Sequence, residues 1–523
     1  MQALSAFEIL GPVMVGPSSS HTAGALRCAR VAASLVEGPI RRVTFTLFNS
    51  FAHTYRGHGT DRALVAGILG LETDDERIRD AFSLAEDAGL AVEFVIGGDD
   101  ARVHPNTVDI EMESAAGETV SVRGESLGGG RVRVSRINGV AVDISGEYDT
   151  LFVAHRDTPG VLAALTVLLS ERRINIAFMR TYRTERGGNA YTVFELDELP
   201  PADLLTELRA RENIYTATFV RVPGAAPACA ATESEEFFDT GAELLERCQT
   251  LNLGLGAIMA VREASLSGEA CAVAQMHRVL EVMHAETTEP LTTPRPSLGG
   301  LIGGEAKRVA DTTGQLAASL MGSVQTEAVA RALAVLERSA SMGVIVAAPT
   351  AGSAGVVPGC LLAVAQARGL GDAEVMDALY TAAAVGLLLT TNACVAGAEG
   401  GCQAEVGSAA AMAAAALTEM LGGTPAQALD AASLALGNLL GLVCDPVGGL
   451  VEVPCQTRNA IGVAAAFSSA QLALAGVGSL LPFDEMARTM LEVGHALPAS
   501  LRETARGGIA AAPSACRRCP GCA

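Results

Sequence analysis

The sequence predicts a multidomain chain with an α/β N-terminal domain, a ferredoxin-like module and a large all-α C-terminal domain. Three observations predict it. Strand-like runs alternate with helical spacing up to about residue 145, and a β-α-β-β-α-β rhythm follows over 149–222. From 237 onward the text becomes Ala- and Leu-rich with almost no strand signal. A length of 523 residues suits several domains of roughly 150 residues each. The expected boundaries are 1–147, 148–222, a linker at 223–236, 237–507, and a cysteine-bearing tail at 508–523.

In the first unit RRVTFTLFNSF, GLAVEFVIGG, ETVSVRGE and GRVRVSRING alternate Val, Phe and Thr with polar residues and read as strands. TDRALVAGILG and DERIRDAFSLAEDAG lie between the first two and have helical spacing, the latter behind acidic residues that suit a helix start. In the second unit YDTLFVAHRD, NIAFMRTYRT, GGNAYTVFELD and IYTATFVRV are strands. PGVLAALTVLLSERR, entered through Pro159, and PADLLTELRAR are the helices. VPGAAPACAATESEE reads as a Pro/Ala/acidic linker. Beyond it ALTEMLG, AQALDAASLALGNLLGL and NAIGVAAAFSSAQLALAGV are apolar around most of their circumference, as buried helices are.

Composition excludes several classes. Hydrophobic residues make up 49% and charged residues 18%, which rules out disorder. A net charge of −21 argues against a nucleic-acid partner, which needs a basic surface. The apolar stretches near 380–390 and 407–418 are short and Ala-rich, so no membrane association is expected. MQALSAFEILGPVM lacks the basic start of a signal peptide, and twelve cysteines without an export signal point to a reducing cytoplasm.

The residues that carry chemistry fall in two groups. Cys402 sits in GAEGGCQAEVG at a Gly turn opening a helix, Cys444 ends a helix before DPVGG, and Cys455 follows Pro454 at the next helix start. At the two helix starts the dipole favours thiolates, the metal-binding form. Three thiolates suit either a zinc site with an open position or a [4Fe–4S] cluster with one iron free of cysteine. The tail CRRCPGC is expected to fold back and donate one thiol. Cys271 and Cys360, in apolar helical text, read as core. The second group lies in the first domain. VGPSSSHTAGALR places Ser18, Ser19, Ser20 and His21 before a helix, and YRGHGTDRALVAG does the same with His58, Thr60 and Asp61. ARVHPNTVDIEM adds His104 and Asn106. Histidine titrates near neutrality and serves as a general acid or base. APTAGSAGVVPG, with Thr350, Gly352 and Ser353, is a candidate carboxylate cradle. Lys307 is the only lysine beside a full set of arginines, which points to a role that a guanidinium cannot fill.

Asp157 to Gly160 in a D-x-P-G turn, followed by a helix and Ile174-Asn175-Ile176, resembles an ACT domain. The resemblance implies a small amino-acid effector near Asp157, Gly160, Asn175 and Ile176, and a homodimer. GPSSSHTAGA, GHGTD, HPNT, GESLGGG, GLIGGEAKRV, APTAGSAGVVPG, NACVAGAEGGCQAEVG and CDPVGGLVEVPCQTRN together resemble the iron–sulfur-dependent L-serine dehydratases of bacteria, in a fused β–ACT–α arrangement. That resemblance spans nearly the whole chain. It implies a [4Fe–4S] cluster on Cys402, Cys444 and Cys455, acting as a Lewis acid on the β-hydroxyl of an amino-acid substrate. It also implies a tail ligand, Cys522 first and Cys519 as the alternative. His58 is the expected base, with His21 and then His104 behind it. The hydroxyls of Ser18, Ser19, Ser20, Thr350 and Ser353 are expected to hold the substrate, and Lys307 to pair with its carboxylate. Three rival readings remain. One is a pyridoxal-phosphate dehydratase with Lys307 as the Schiff-base lysine. The second is an amino-acid-sensing ACT protein with structural zinc, and the third a desulfidase acting on cysteine.

Overall fold

The computed structural model describes residues 4–517 except 129–130, 145–148, 184, 198–199, 202, 221–236 and 314–319. The expected linker at 223–236 and the tail cysteines Cys519 and Cys522 lie outside the described residues. Within them the three expected units are present.

In the first unit Ile40–Phe48 buries Val43, Phe45 and Leu47 on alternate positions, so one face of the strand forms core. It pairs in parallel with Ala91–Gly98 and antiparallel with Asn106–Ser114. The sheet then continues through Thr119–Gly128, Arg131–Ile137 and Val140–Ile144. Asn106–Ser114 was not among the strands expected, although Val108, Ile110 and Met112 alternate inward along it. Helix Ala25–Ser34 covers the inner face, and helix Thr60–Ile68 packs against that helix.

The second unit has the antiparallel order Ile214–Val220, Asp149–Arg156, Asn189–Leu196, Ile176–Arg183, with helices Val161–Glu171 and Asp203–Arg209. That is the ferredoxin-like order. Its core is its own, built on Leu151, Val153, Leu165, Leu168, Phe194 and Leu196.

The third unit is helical. Ser408–Met420 lies at its centre, with every residue from 408 to 418 buried and alanine at most of them. Small side chains let Asp372–Asn392, Pro425–Leu439 and Cys455–Leu474 pack closely around it. Asp372–Asn392 alone among the described helices is long and apolar enough to cross a membrane by length and composition, and 72% of its apolar window is buried in the protein. Of the two cysteines read as core, Cys360 is buried. Cys271 is exposed instead, because it falls on the outer face of helix Glu269–Thr292.

The first and third units interlock. Val13–Val15 pairs antiparallel with Val344–Val346, the one short strand of the helical unit among the described residues. Just upstream, Glu263 accepts Ser5 Oγ at 3.0 Å and the Ala6 amide at 2.7 Å, while Arg262 donates to the Leu4 carbonyl at 2.7 Å. Residues 4–15 are therefore built into the helical unit. This holds the loops that follow them against its surface.

Candidate functional site

The loop after that shared strand forms one wall. Ser18 caps a π-helical turn, Ser19–Gly24, by accepting the His21 amide at 3.1 Å. The turn runs straight into helix Ala25–Ser34, and Gly24 is required there, since a Cβ would stand 2.0 Å from Ser126 Oγ. His21 is fixed at both nitrogens, Nδ1 to Ser18 Oγ at 3.2 Å and Nε2 to Ser50 Oγ at 2.8 Å. Its ring stacks on His58 with centroids 4.4 Å apart.

His58 ends the turn before helix Thr60–Ile68, and Gly59, with φ +65°, reverses the chain between them. Both ring nitrogens of His58 are fully buried and neither has a hydrogen-bond partner. In a native protein such an orphaned polar group calls for an explanation, and a catalytic role is one. Burial lowers the His58 pKa to about 4 and holds His21 well below its ordinary value. Both rings are neutral at physiological pH, the form that can accept a proton.

That burial carries a measurable consequence. A histidine held neutral in the fold but free to protonate when unfolded makes stability rise with pH. The contribution is complete above about pH 6.5 and lost as pH falls toward 4. A displacement from 6.5 to about 4 corresponds to about 3 kcal/mol. The stability difference between wild type and His58→Gln, measured by urea titration at pH 7 and pH 5, is expected to shift by about 2 kcal/mol in favour of the variant at the lower pH. An unchanged difference would mean that His58 is not held neutral.

The helical unit supplies the opposite wall. Cys402 stands where Gly401, at φ +76°, turns the chain. A Cβ on Gly401 would come within 2.7 Å of Leu497 Cδ1 and 3.0 Å of the Leu442 carbonyl. Cys455 opens helix Cys455–Leu474 as expected. Cys444 does not end a helix. Pro425–Leu439 stops earlier, and Cys444 lies in an extended bridge with Arg502. All three thiols are buried. Cys402 and Cys444 share a small apolar cluster with Val406. Burial pushes the Cys402 thiol up to about 12 and those of Cys444 and Cys455 well above the ordinary range. Each of the latter two is raised further by its neighbouring cysteines and by Glu405. The helix dipoles expected to favour thiolate are thus outweighed by loss of water. Only a bound cation would reverse that balance.

Glu405 and Glu503 complete the pocket, and neither stood out in the sequence. Glu405 accepts Thr350 Oγ1 at 2.9 Å and lies near Cys444 Sγ at 3.9 Å; burial raises its pKa. Glu503 spans the two walls, with a carboxylate oxygen and the ring nitrogens of His21 and His58 all within 4.8 Å of one another. Burial, then the charge of Glu405, pushes its pKa up to about 8. Arg458 anchors the floor by donating to Asp445 at 2.6 Å and to the Val443 carbonyl at 2.7 Å. The two walls meet in contact. A Cβ on Gly57 would strike Leu450 at 2.5 Å, and one on Gly449 would meet Thr54 at 3.0 Å.

Other expected residues divide. Ser19 is buried beside His21, and Ser20 Oγ lies 3.5 Å from its Nδ1. Thr60 is buried with an unpartnered hydroxyl, and Asp61 beside it has its pKa raised by burial. Thr350 and Ser353 are buried with their hydroxyls 3.1 Å apart, and the Gly352 carbonyl accepts Asn459 Nδ2 at 2.9 Å. Asn106 supports the wall from behind, donating to the Ser126 carbonyl at 3.4 Å, while Ser126 Oγ donates to the Ser20 carbonyl at 2.9 Å. His104 is half-buried near Glu125 and Arg133, with Nδ1 accepting the Asn106 amide at 3.2 Å, and no described contact joins it to the histidine pair. Lys307 is not brought to the pocket. Its side chain is 44% exposed on the helix Glu305–Ala310, with Asp311 Oδ1 at 3.1 Å. Being the only lysine reflected composition, and the side chain has the i,i+4 partner of an ordinary surface cation. In the ferredoxin-like unit Asp157 accepts the Gly187 amide at 3.0 Å and faces Arg183. Gly160 starts the helix at φ +94°, Asn175 donates to Asp197 at 2.6 Å, and Ile176 opens its strand.

Converging buried thiols opposite a neutral histidine pair, in a chain that also carries a ferredoxin-like module, define an enzyme rather than a sensor, which has no use for proton-transfer groups. The chain belongs to the serine dehydratase family. Residues 203–510 match the serine dehydratase alpha chain, 5–90 the serine dehydratase beta chain, and 150–213 the ACT domain, which makes this a fused beta–ACT–alpha form. It is 31% identical over 521 residues to the L-serine dehydratase of Streptomyces coelicolor, covering 97% of this chain and 98% of that one. The L-serine dehydratase alpha chain of Peptoniphilus asaccharolyticus is 50% identical over 236 residues, 45% of this chain and 80% of its own length. The beta chain of the same organism is 42% identical over 222 residues, 42% of this chain and all of its own length.

Proposed function

We propose that this chain converts L-serine to pyruvate and ammonia, with Cys402, Cys444 and Cys455 holding a [4Fe–4S] cluster. The observation that carries the reading is the unpartnered neutral imidazole of His58 facing, across Glu503, a trio of buried thiols. The donor set fits the group: soft ligands, shielded from water, with no disulfide among them. When bound, the cluster supplies a Lewis-acid iron for the departing β-hydroxyl. His58 takes the proton from Cα, and Ser18 and Ser50 fix His21 against it so that the pair keeps one orientation. Ser353, its hydroxyl 3.1 Å from that of Thr350, is the candidate donor to the substrate carboxylate, and Thr350, which donates to Glu405, holds it in place. Loss of the Cα proton and of hydroxide leaves aminoacrylate and water, and aminoacrylate tautomerises and hydrolyses to pyruvate and ammonia.

A pyridoxal-phosphate mechanism would need Lys307 desolvated, and its exposure speaks against that. The turn at Asp157 to Gly160, with Asn175 and Ile176, is the proposed seat of an amino-acid effector. The boundaries 1–147, 148–222 and 237–507 are our proposed functional units, and a homodimer belongs to the same reading. Protein purified without oxygen is expected to be brown, to bleach in air, and to form pyruvate from L-serine. A colourless, zinc-bearing protein that binds amino acids without turnover would replace this reading with a sensor.

A further inference from the structure

We infer that Glu503, on the segment running back from the last long helix, binds the α-ammonium group of the substrate. The inference rests on the dehydratase reading above and goes beyond it by naming the group that selects an amino acid over a plain hydroxy acid.

Position supports it first. An amino nitrogen lies ~1.5 Å from its Cα. The group that takes the Cα proton and the group that holds the ammonium must therefore be close neighbours. The Glu503 carboxylate and the His58 ring nitrogen lie within 4.8 Å of each other. Charge supports it next. Glu405 lies in the same pocket, and no Arg or Lys forms an ion pair with Glu503 among the described residues. Arg458, the nearby cation, is committed to Asp445. A buried carboxyl group with no cationic side chain paired to it is open to a cationic guest. Glu503 takes one backbone donor, the Ala398 amide; Glu405 is less suited, because the side chains of both Thr350 and Cys444 already donate toward it. A metal ion on Glu503 and the two histidines is also disfavoured, since Ser18 and Ser50 occupy both nitrogens of His21.

The backbone holds Glu503 in place at a cost. Its φ is +58°, a conformation that non-glycine residues keep only where their surroundings enforce it. The enforcement is visible. The Glu503 amide donates to the Cys444 carbonyl at 2.8 Å, and the Cys444 amide donates to the Leu501 carbonyl at 2.9 Å. Asp445 accepts the Ile509 amide at 2.6 Å.

The test is Glu503→Gln, purified without oxygen as the full chain. KM for L-serine is expected to rise roughly ten- to hundredfold, the effect of losing one charge-assisted hydrogen bond. Iron content and visible absorption should match wild type. Inhibition by 3-hydroxypropanoate, which is serine without its amino group, should be unchanged or tighter. Glu503→Asp keeps the charge and should recover part of the affinity for serine. Equal weakening of serine and 3-hydroxypropanoate would overturn the assignment, as would a fall in kcat with KM unchanged, or stoichiometric zinc that only the wild type retains. Should the Gln variant fail to fold, the ratio of serine KM to 3-hydroxypropanoate inhibition in Glu503→Asp decides, and an unchanged ratio overturns it. If wild type itself forms no pyruvate, it is the dehydratase reading that fails, and this shows before any variant is made.

Discussion

Replacing Cys402, Cys444 or Cys455 singly with alanine is expected to strip the protein of iron, remove its visible absorption, and lower pyruvate formation by at least ~10³-fold. The size of the effect follows from the walls of the pocket. Each thiol is buried and none has a disulfide partner. Cys444 and Cys455 are raised by their neighbouring cysteines, which places the three within electrostatic reach of one another. Removing one leaves two donors around a group that needs three from this wall. The matched control is Cys360→Ala. Cys360 is fully buried in helix Val356–Arg368 as part of the main hydrophobic core, and behaves as a small core hydrophobe. Its loss should cost about 1 kcal/mol of stability and leave iron in place. Full iron and activity in any one of the three pocket variants would remove that cysteine from the ligand set.

The contrast between Cys360 and Cys402 also shows how the sequence could be read. Cys402, Cys444 and Cys455 stood out because glycine and proline turns surround them, and turns are where side chains from distant segments can meet. The fold class was legible for a similar reason: alternation in Ile40–Phe48 and the alanine-packed centre of Ser408–Met420 are local patterns with one physical interpretation each. What escaped were features made by tertiary contact. Val13–Val15 is three residues long and becomes a strand only because Val344–Val346 lies beside it. Glu503 has a positive φ at a position that is not glycine, and no local pattern could have placed it beside two histidines more than 400 residues earlier in the chain. Lys307 failed in the opposite direction. Its rarity is a property of the whole composition, and the structure gives it an exposed helix and an acidic partner.

His58→Ala is expected to retain iron and its absorption while kcat falls roughly 10²- to 10⁴-fold, the usual span for a lost acid–base group. KM should move only a few-fold, because the imidazole acts on a proton and not on the groups that anchor the substrate. Stability gives a second, independent reading. A core side chain of this size normally costs ~2 kcal/mol or more when truncated, through the cavity it leaves. His58 differs, because both its nitrogens are buried without a partner, and its removal relieves that penalty. The two terms oppose each other, so Tm should stay within a few degrees of wild type even as turnover collapses. Free imidazole, small enough to enter the space vacated, should restore part of the rate. A residue kept for packing would show the reverse: a clear loss of Tm and little change in rate. That result would pass the role of base to His21, whose ring stacks on His58 at 4.4 Å and whose two serine partners would then serve to shuttle the proton away.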